Sequence, residues 1–211
     1  MYFKDRKEAG HKLAKKLKSY RGDQVAVLAL GHGGYLVGKR IAHELGCPIS
    51  VLYSEEITAP GDDSTVIGEV DQLGGLTYNS NLSSGQLEEF VNEFHNYIDQ
   101  ERLKLVHKLN SLSDPETKAD PKHLRHHEII VVADGAKDGA IFDATLSFLK
   151  TVSVKKIVAA IPIASTNAVD KLHVLFDELH CLSVTPNFIA IDHYYENEHE
   201  FKNLKTDIFK A

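Results

Sequence analysis

The sequence predicts an α/β fold: an open, mainly parallel twisted sheet with helices on both faces and a small β-hairpin hood. Three observations predict it. A β-rich apolar run that stops at glycines and leads into a helical pattern occurs twice, over 24–45 and 128–150. The first of these units feeds a further apolar run at 49–53, completing a βαβ unit, and such units build parallel sheets. Between the two, Gly61, Gly68, Gly74 and Gly75 punctuate 54–82, a composition of tight turns rather than of a buried layer.

Taken in order, 3–19 carries Ala9, Leu13, Ala14 and Leu17 at helical spacing with lysines on the other face, an amphipathic flank helix. The run 24–30 is a buried strand that ends at the turn Gly31-His32-Gly33-Gly34. A helix over 35–45 follows and stops at Gly46. The excursion 54–82 offers two short strands, 65–70 and 75–79, as a hairpin. A long helical pattern over 84–112 runs through Leu87, Val91, Phe94, Ile98, Leu105 and Leu109, and the polar loop 113–127 with Pro115 and Pro121 breaks it. The second strand, turn and helix span 128–150. A strand at 156–161, a helix at 167–176, strand-like runs at 179–184 and 188–191 and a helical tail complete the chain, all within a single domain over 1–211.

Composition narrows the function. A net charge of −6 argues against a nucleic-acid partner, because neutralising phosphates requires clustered Lys and Arg. Two cysteines, Cys47 and Cys181, are too few for a disulfide framework or a thiolate metal site, which favours a reducing cytoplasm. No apolar run approaches the roughly 20 residues that span a bilayer, so no membrane partner is expected. His123, His126 and His127 form a tract, and His193 and His199 flank an acidic tail. Without cysteine or a fixed spacing these read as solvated histidines, and no metal site is assigned.

The chemistry rests on the two glycine turns. A turn between a parallel strand and a helix aims free backbone N–H groups and the positive helix end at one spot, which suits a phosphate. In an open parallel sheet such turns line one crevice, so Gly31 to Gly34 and Gly135 to Gly139 would hold two ends of one diphosphorylated ligand. The bland reading is plain connection, with Asp138 a helix cap, Asp134 a turn acid and Lys137 a surface lysine.

These residues resemble a family. Phe3, Asp5, Arg6, Ala9, Gly10, Leu13, Ala14 and Leu17 follow the pattern F-x-D-R-x-x-A-G-x-x-L-A-x-x-L. Gly33-Gly34, Val37 and Leu45-Gly46-Cys47-Pro48 look like a P-R-G-G turn and its helix, and Ala59-Pro60-Gly61, Ile67 and Gly68 look like a hairpin hood. Val131-Val132-Ala133-Asp134-Gly135 through Gly139 is similar to V-V-D-D-G-L-A-T-G, with Ala160-Ile161-Pro162 and Tyr194-Tyr195 in the expected places. The chain thus resembles the type I phosphoribosyltransferases over nearly its whole length. The resemblance implies a cytoplasmic glycosyltransferase of nucleotide metabolism that takes phosphoribosyl pyrophosphate with Mg²⁺ and passes the 5-phosphoribosyl group to an unidentified nucleophile. It also implies site roles: Gly31, His32, Gly33 and Gly34 as the pyrophosphate loop, and Asp134 as the catalytic acid at the ribose. Gly135, Ala136, Lys137, Asp138, Gly139 and Ala140 would form the 5′-phosphate loop, and Glu55-Glu56 the hood facing pyrophosphate. Homodimerisation is common in the family.

Four ligand-facing positions depart from the pattern, each by charge. His32 replaces an arginine, Ala133 the first acid of the pair, Glu55-Glu56 an Arg-Lys dipeptide, and Asp138 a hydroxyl residue. A carboxylate at Asp138 occupies the N–H groups a 5′-phosphate would use. The alternative function is therefore a catalytically inactive relative that binds a small molecule or a protein.

Overall fold

The computed structural model describes residues 2–22 and 24–197, with the side chain of residue 140 left aside. The predicted helical tail and His199 lie outside the described residues. The chain divides into two compact units, one of Met1–Val51, Thr117–Gly139 and Val152–Ala211, the other of Leu52–Glu116 and Ala140–Thr151.

The first unit carries the predicted α/β sheet. Its strands are β1 (Val25–Leu30), β2 (Ile49–Leu52), β6 (Glu128–Val132), β7 (Lys156–Ser165) and β8 (Glu178–Thr185), in the order β2-β1-β6-β7-β8. The pairs β1–β6, β6–β7 and β7–β8 are parallel, with Val27 opposite Ile130 and Ile130 opposite Val158. β1 is buried throughout, as a strand covered on both faces must be. Helix α1 (Arg6–Lys16) and helix α2 (Gly31–Leu45) cover one face, where Leu13, Leu17, Val37 and Ile41 pack on Val25, Val27, Ile130, Val132 and Val158. Residues of alternate parity, Leu28, Ile129, Val131 and Ala159, point to the opposite face and are equally buried. Helix α1 starts where Asp5 accepts a hydrogen bond from the Glu8 N–H (2.6 Å), three residues later than the apolar spacing alone suggests.

Three predictions are corrected here, and one helix is met. The residues Gly31 to Gly34 are not a loop: β1 passes directly into α2, whose first turn they form, because Gly31 reverses the chain in the left-handed region (φ 61°). The stretch 113–127 contains the short helix α4 (Pro121–Leu124), capped by Asp120, and Val51 pairs with the stretch through hydrogen bonds to Thr117 and Ala119. The helix predicted at 167–176 is α6 (Thr166–Leu175). Finally, 188–191 is not a strand; a 3₁₀ turn at Ile191–Tyr194 follows instead, and Tyr194 and Tyr195 pack with Phe3, Ala9 and Ile163.

The second unit is larger than the predicted excursion. Its antiparallel sheet has the order β3-β4-β5, with β3 (Ser54–Ala59), β4 (Asp62–Asp71) and β5 (Leu76–Tyr78). Helix α3 (Ser84–Leu112) begins at a capping box between Ser83 and Gln86 and bends at Phe94. Its Ile98 and Leu105 close a core with Ile57, Ala59, Ile67 and Val70. Helix α5 (Ala140–Lys150) touches β4 and β5, and its Asp143 accepts a hydrogen bond from the Ser80 hydroxyl at 3.0 Å.

Within this unit Glu56 stands opposite Glu69 across β3–β4. Burial pushes the Glu69 carboxyl up to about 7, against the Ser54 hydroxyl that donates to it, and the charges of Glu56, Asp143 and Asp71 add to the rise. A carboxyl raised in the fold contributes stability fully present below its unfolded value near 4.5 and lost as pH rises through about 7. Glu69→Gln keeps an acceptor for Ser54 and removes the charge. Its advantage over the parent should grow between pH 4.5 and 7 and level off above, at on the order of 3 kcal/mol, measured by urea unfolding.

Candidate functional site

The loop after β6 is fixed by the strand beside it. The Ala136 N–H donates to the Ile163 carbonyl (3.0 Å) and its carbonyl accepts from the Ser165 N–H (2.9 Å), so the loop adds one rung to β7. The Ser165 hydroxyl donates to the Lys137 carbonyl and accepts from the Ala168 N–H (3.0 Å), which ties the same loop to the cap of α6. Lys137 and Asp138 are exposed, and Gly139 turns the chain at φ 76°. Lys171 of α6 lies over that turn: its Cδ is 3.3 Å from where a Cβ on Gly139 would stand. Two lysines, Lys137 and Lys171, thus belong to the loop, and only the first is evident from the sequence. The chain then enters α5 at Ala140.

Asp134 does not face this loop's solvent side. Its Oδ2 accepts from Arg6 Nε at 2.7 Å, its side chain is 13% exposed, and Arg6 is 5% exposed. Arg6 also donates from Nη2 to Asp192 (2.6 Å) and stacks over the Tyr195 ring at 4.5 Å, a cation–π contact. The Tyr195 hydroxyl donates to the Asp134 carbonyl at 2.5 Å. Burial raises the Asp134 carboxyl above its ordinary range, with the Arg6 charge opposing it. Burial works against the Arg6 charge, but Asp134 and Asp192 together hold the guanidinium above its usual value. Burial, then the Asp134 charge, raise the Tyr195 phenol. Arg6 and Tyr195 come from the N-terminal motif and the tyrosine pair, yet nothing local in the sequence joins them to Asp134 across 128 and 61 residues. Through these contacts the Asp134 backbone and carboxylate are held at the start of the loop.

The glycines of α2 serve the same cluster. A Cβ on Gly33 would stand 2.0 Å from Asp134 Oδ2, and one on Gly34 2.5 Å from the Val132 carbonyl oxygen. These two glycines are therefore explained by close packing on β6 and its turn. Gly31 meets nothing within 4 Å, and no side chain caps the helix start. The His32 ring lies 6.4 Å from that of Tyr35.

The remaining candidates stay within their own surroundings. Glu55 is paired with Lys108 of α3 at 2.5 Å, and Glu56 is exposed. His127 contacts the Arg125 carbonyl through Nδ1 (2.9 Å), and among the described residues no three His, Cys, Asp or Glu side chains converge as metal ligands. Burial raises the Cys47 thiol to about 11 and also raises that of Cys181, as for unreactive thiols. No helix among the described residues is long and apolar enough to cross a membrane.

Comparison with known proteins decides the family. The model of the phosphoribosyl transferase domain matches residues 4–199. The chain belongs to this family. A Mycobacterium tuberculosis protein provisionally named a phosphoribosyl transferase is 26% identical over 196 residues, 92% of this chain and 43% of that protein. The chain thus spans less than half the length of this relative. The crystal structure of TT1426 from Thermus thermophilus superposes with a TM-score of 0.70 at 27% identity, covering 92% of this chain and 90% of the other. A purine phosphoribosyltransferase from Pyrococcus horikoshii shares the fold at 16% identity and a TM-score of 0.50, covering 86% and 84%. The α/β class read from the sequence is the fold of this phosphoribosyl transferase family.

Proposed function

We propose that this phosphoribosyl transferase domain binds phosphoribosyl pyrophosphate and transfers its 5-phosphoribosyl group to a nucleophile. The observation that carries the reading is the loop from Gly135 to Gly139, anchored on β7 and α6, with the lysines Lys137 and Lys171 beside it. Such a loop offers backbone donors and two cations to a 5′-phosphate. The start of α2 at Gly31, where no side chain caps the helix, is the second group of donors, suited to pyrophosphate. In the reaction the bond from the anomeric carbon to pyrophosphate oxygen breaks, the electron pair leaves with pyrophosphate, and the nucleophile's lone pair forms the new bond. Its proton passes to solvent. The chain's part is orientation and charge stabilisation of the oxocarbenium-like state.

Mg²⁺ would arrive with the diphosphate, since it keeps several waters and binds through substrate phosphates rather than an all-protein cage. The described residues offer no such cage, and Asp134 is engaged by Arg6. The unreactive thiols fit a reducing cytoplasm.

The test is calorimetric titration with phosphoribosyl pyrophosphate and Mg²⁺, alongside Lys137→Gln/Lys171→Gln. Binding by the parent, weakened roughly tenfold in the double variant, supports the reading. No heat at millimolar ligand, or equal affinity in both proteins, overturns it.

A further inference from the structure

A cavity with a basic lining lies between α1 and α2. Its volume is about 360 Å³, and it is lined by Arg6, Lys7, Leu36, Lys39, Arg40 and His43. Five of these six are basic, in a chain of net charge −6, and none is acidic. The volume lies in the range of small-molecule sites. Arg40 already holds Glu44 (2.6 Å), and Arg6 holds Asp134 and Asp192. Lys7 and Lys39 are exposed and form no ion pair among the described residues; Lys39 rests 5.6 Å from the Tyr35 ring. His43 is likewise exposed. Like charges gathered on one concave wall repel each other, and a multivalent anion relieves that repulsion at several contacts at once.

We infer that this cavity binds a small molecule bearing a chain of phosphates, and that Arg6 links it to the Asp134 turn. Two lysines and a histidine without carboxylate partners call for more than a single negative charge. The concave shape selects a small molecule over a flat polyanion surface. Arg6 is the shared element: the residue lines the cavity, and its guanidinium holds the carboxylate that packs on Gly33. A phosphate that draws on Arg6 therefore alters the hold on Asp134, and by reciprocity a ligand in the 135–139 loop alters affinity in the cavity.

Inorganic tripolyphosphate is the probe, titrated into the full chain by calorimetry and followed by amide NMR. Three proteins are compared: the parent, Lys7→Gln/Lys39→Gln, and Lys104→Gln/Lys150→Gln, which removes the same charge from exposed positions elsewhere. The expected result is roughly tenfold weaker binding in the first double variant and little change in the second. Amide shifts should appear at Leu36, Lys39 and His43 and extend to Asp134. Equal weakening in both doubles, or shifts confined to 135–139, overturns the inference, as does absence of binding by the parent. An arm with ATP distinguishes the source: tighter binding than tripolyphosphate assigns a nucleotide, with its base against Leu36, and equal binding assigns a free polyphosphate.

Discussion

Arg6→Met is expected to cost about 3–5 kcal/mol of stability, because it leaves the Asp134 carboxylate buried without its countercharge. Methionine retains the volume of the arginine stem, so the loss isolates the charge and its hydrogen bonds from packing. The cost has a pH signature. Burial already raises the Asp134 carboxyl above its ordinary 3.8, and removing Arg6 removes the opposing charge. A carboxyl raised in the fold gives stability that is present below its unfolded value and lost as pH rises through its folded value. The variant should therefore approach the parent near pH 4 and fall away from it toward neutrality. Adding Asp134→Asn should recover much of the loss at pH 7, since an amide in that place carries no charge to neutralise. Asp192→Asn should cost under about 1 kcal/mol, its side chain being 43% exposed. Urea unfolding of the four proteins at pH 4 and 7 is the measurement. A loss under about 1 kcal/mol in Arg6→Met at pH 7 would show that the pair does not hold the turn.

This cluster also marks the limit of what the sequence discloses. β1 and β6 are legible because strands covered on both faces are continuous apolar runs, and α3 is legible to its ends because Ser83 and the apolar spacing agree. β3 is not, because Ser54-Glu55-Glu56 looks like a polar loop; as the edge strand of its sheet it needs only Ile57 and Ala59 inside. The site divides the same way. Its loop is visible as glycines after an apolar run, whereas Arg6, Asp134 and Asp192 meet across separations of 128 and 186 residues. Lys171 reaches the loop from a different helix. Local pattern cannot report a contact of that kind, and it assigned the glycines of α2 to ligand approach when Gly33 answers to the Asp134 carboxylate and Gly34 to the Val132 carbonyl, about a hundred residues away.

That difference separates two glycines in the same turn of α2. Gly33→Ala adds one methyl group at a point 2.0 Å from Asp134 Oδ2 and 2.4 Å from its Cγ, too close for any carbon. The carboxylate has no free direction of retreat: Arg6 Nε holds it at 2.7 Å, and the adjoining carbonyl accepts from Tyr195. Relief requires moving α2 off β6 or breaking the ion pair, so the expected cost is about 3 kcal/mol or more. Gly31→Ala is the contrast. Its backbone is left-handed at φ 61°, but nothing lies within 4 Å of the new methyl group, and the strain alone amounts to about 1–2 kcal/mol. A ligand-approach role for both glycines predicts a different pattern of effects: small, similar stability losses and a shared loss of anion binding. Thermal and urea unfolding of the two variants decide between these accounts. Equal stabilities would place Gly33 with Gly31 at the open helix start, and a Gly33→Ala loss clearly exceeding that of Gly31→Ala would place it beneath the Asp134 carboxylate, where Arg6→Met should then relieve part of the clash.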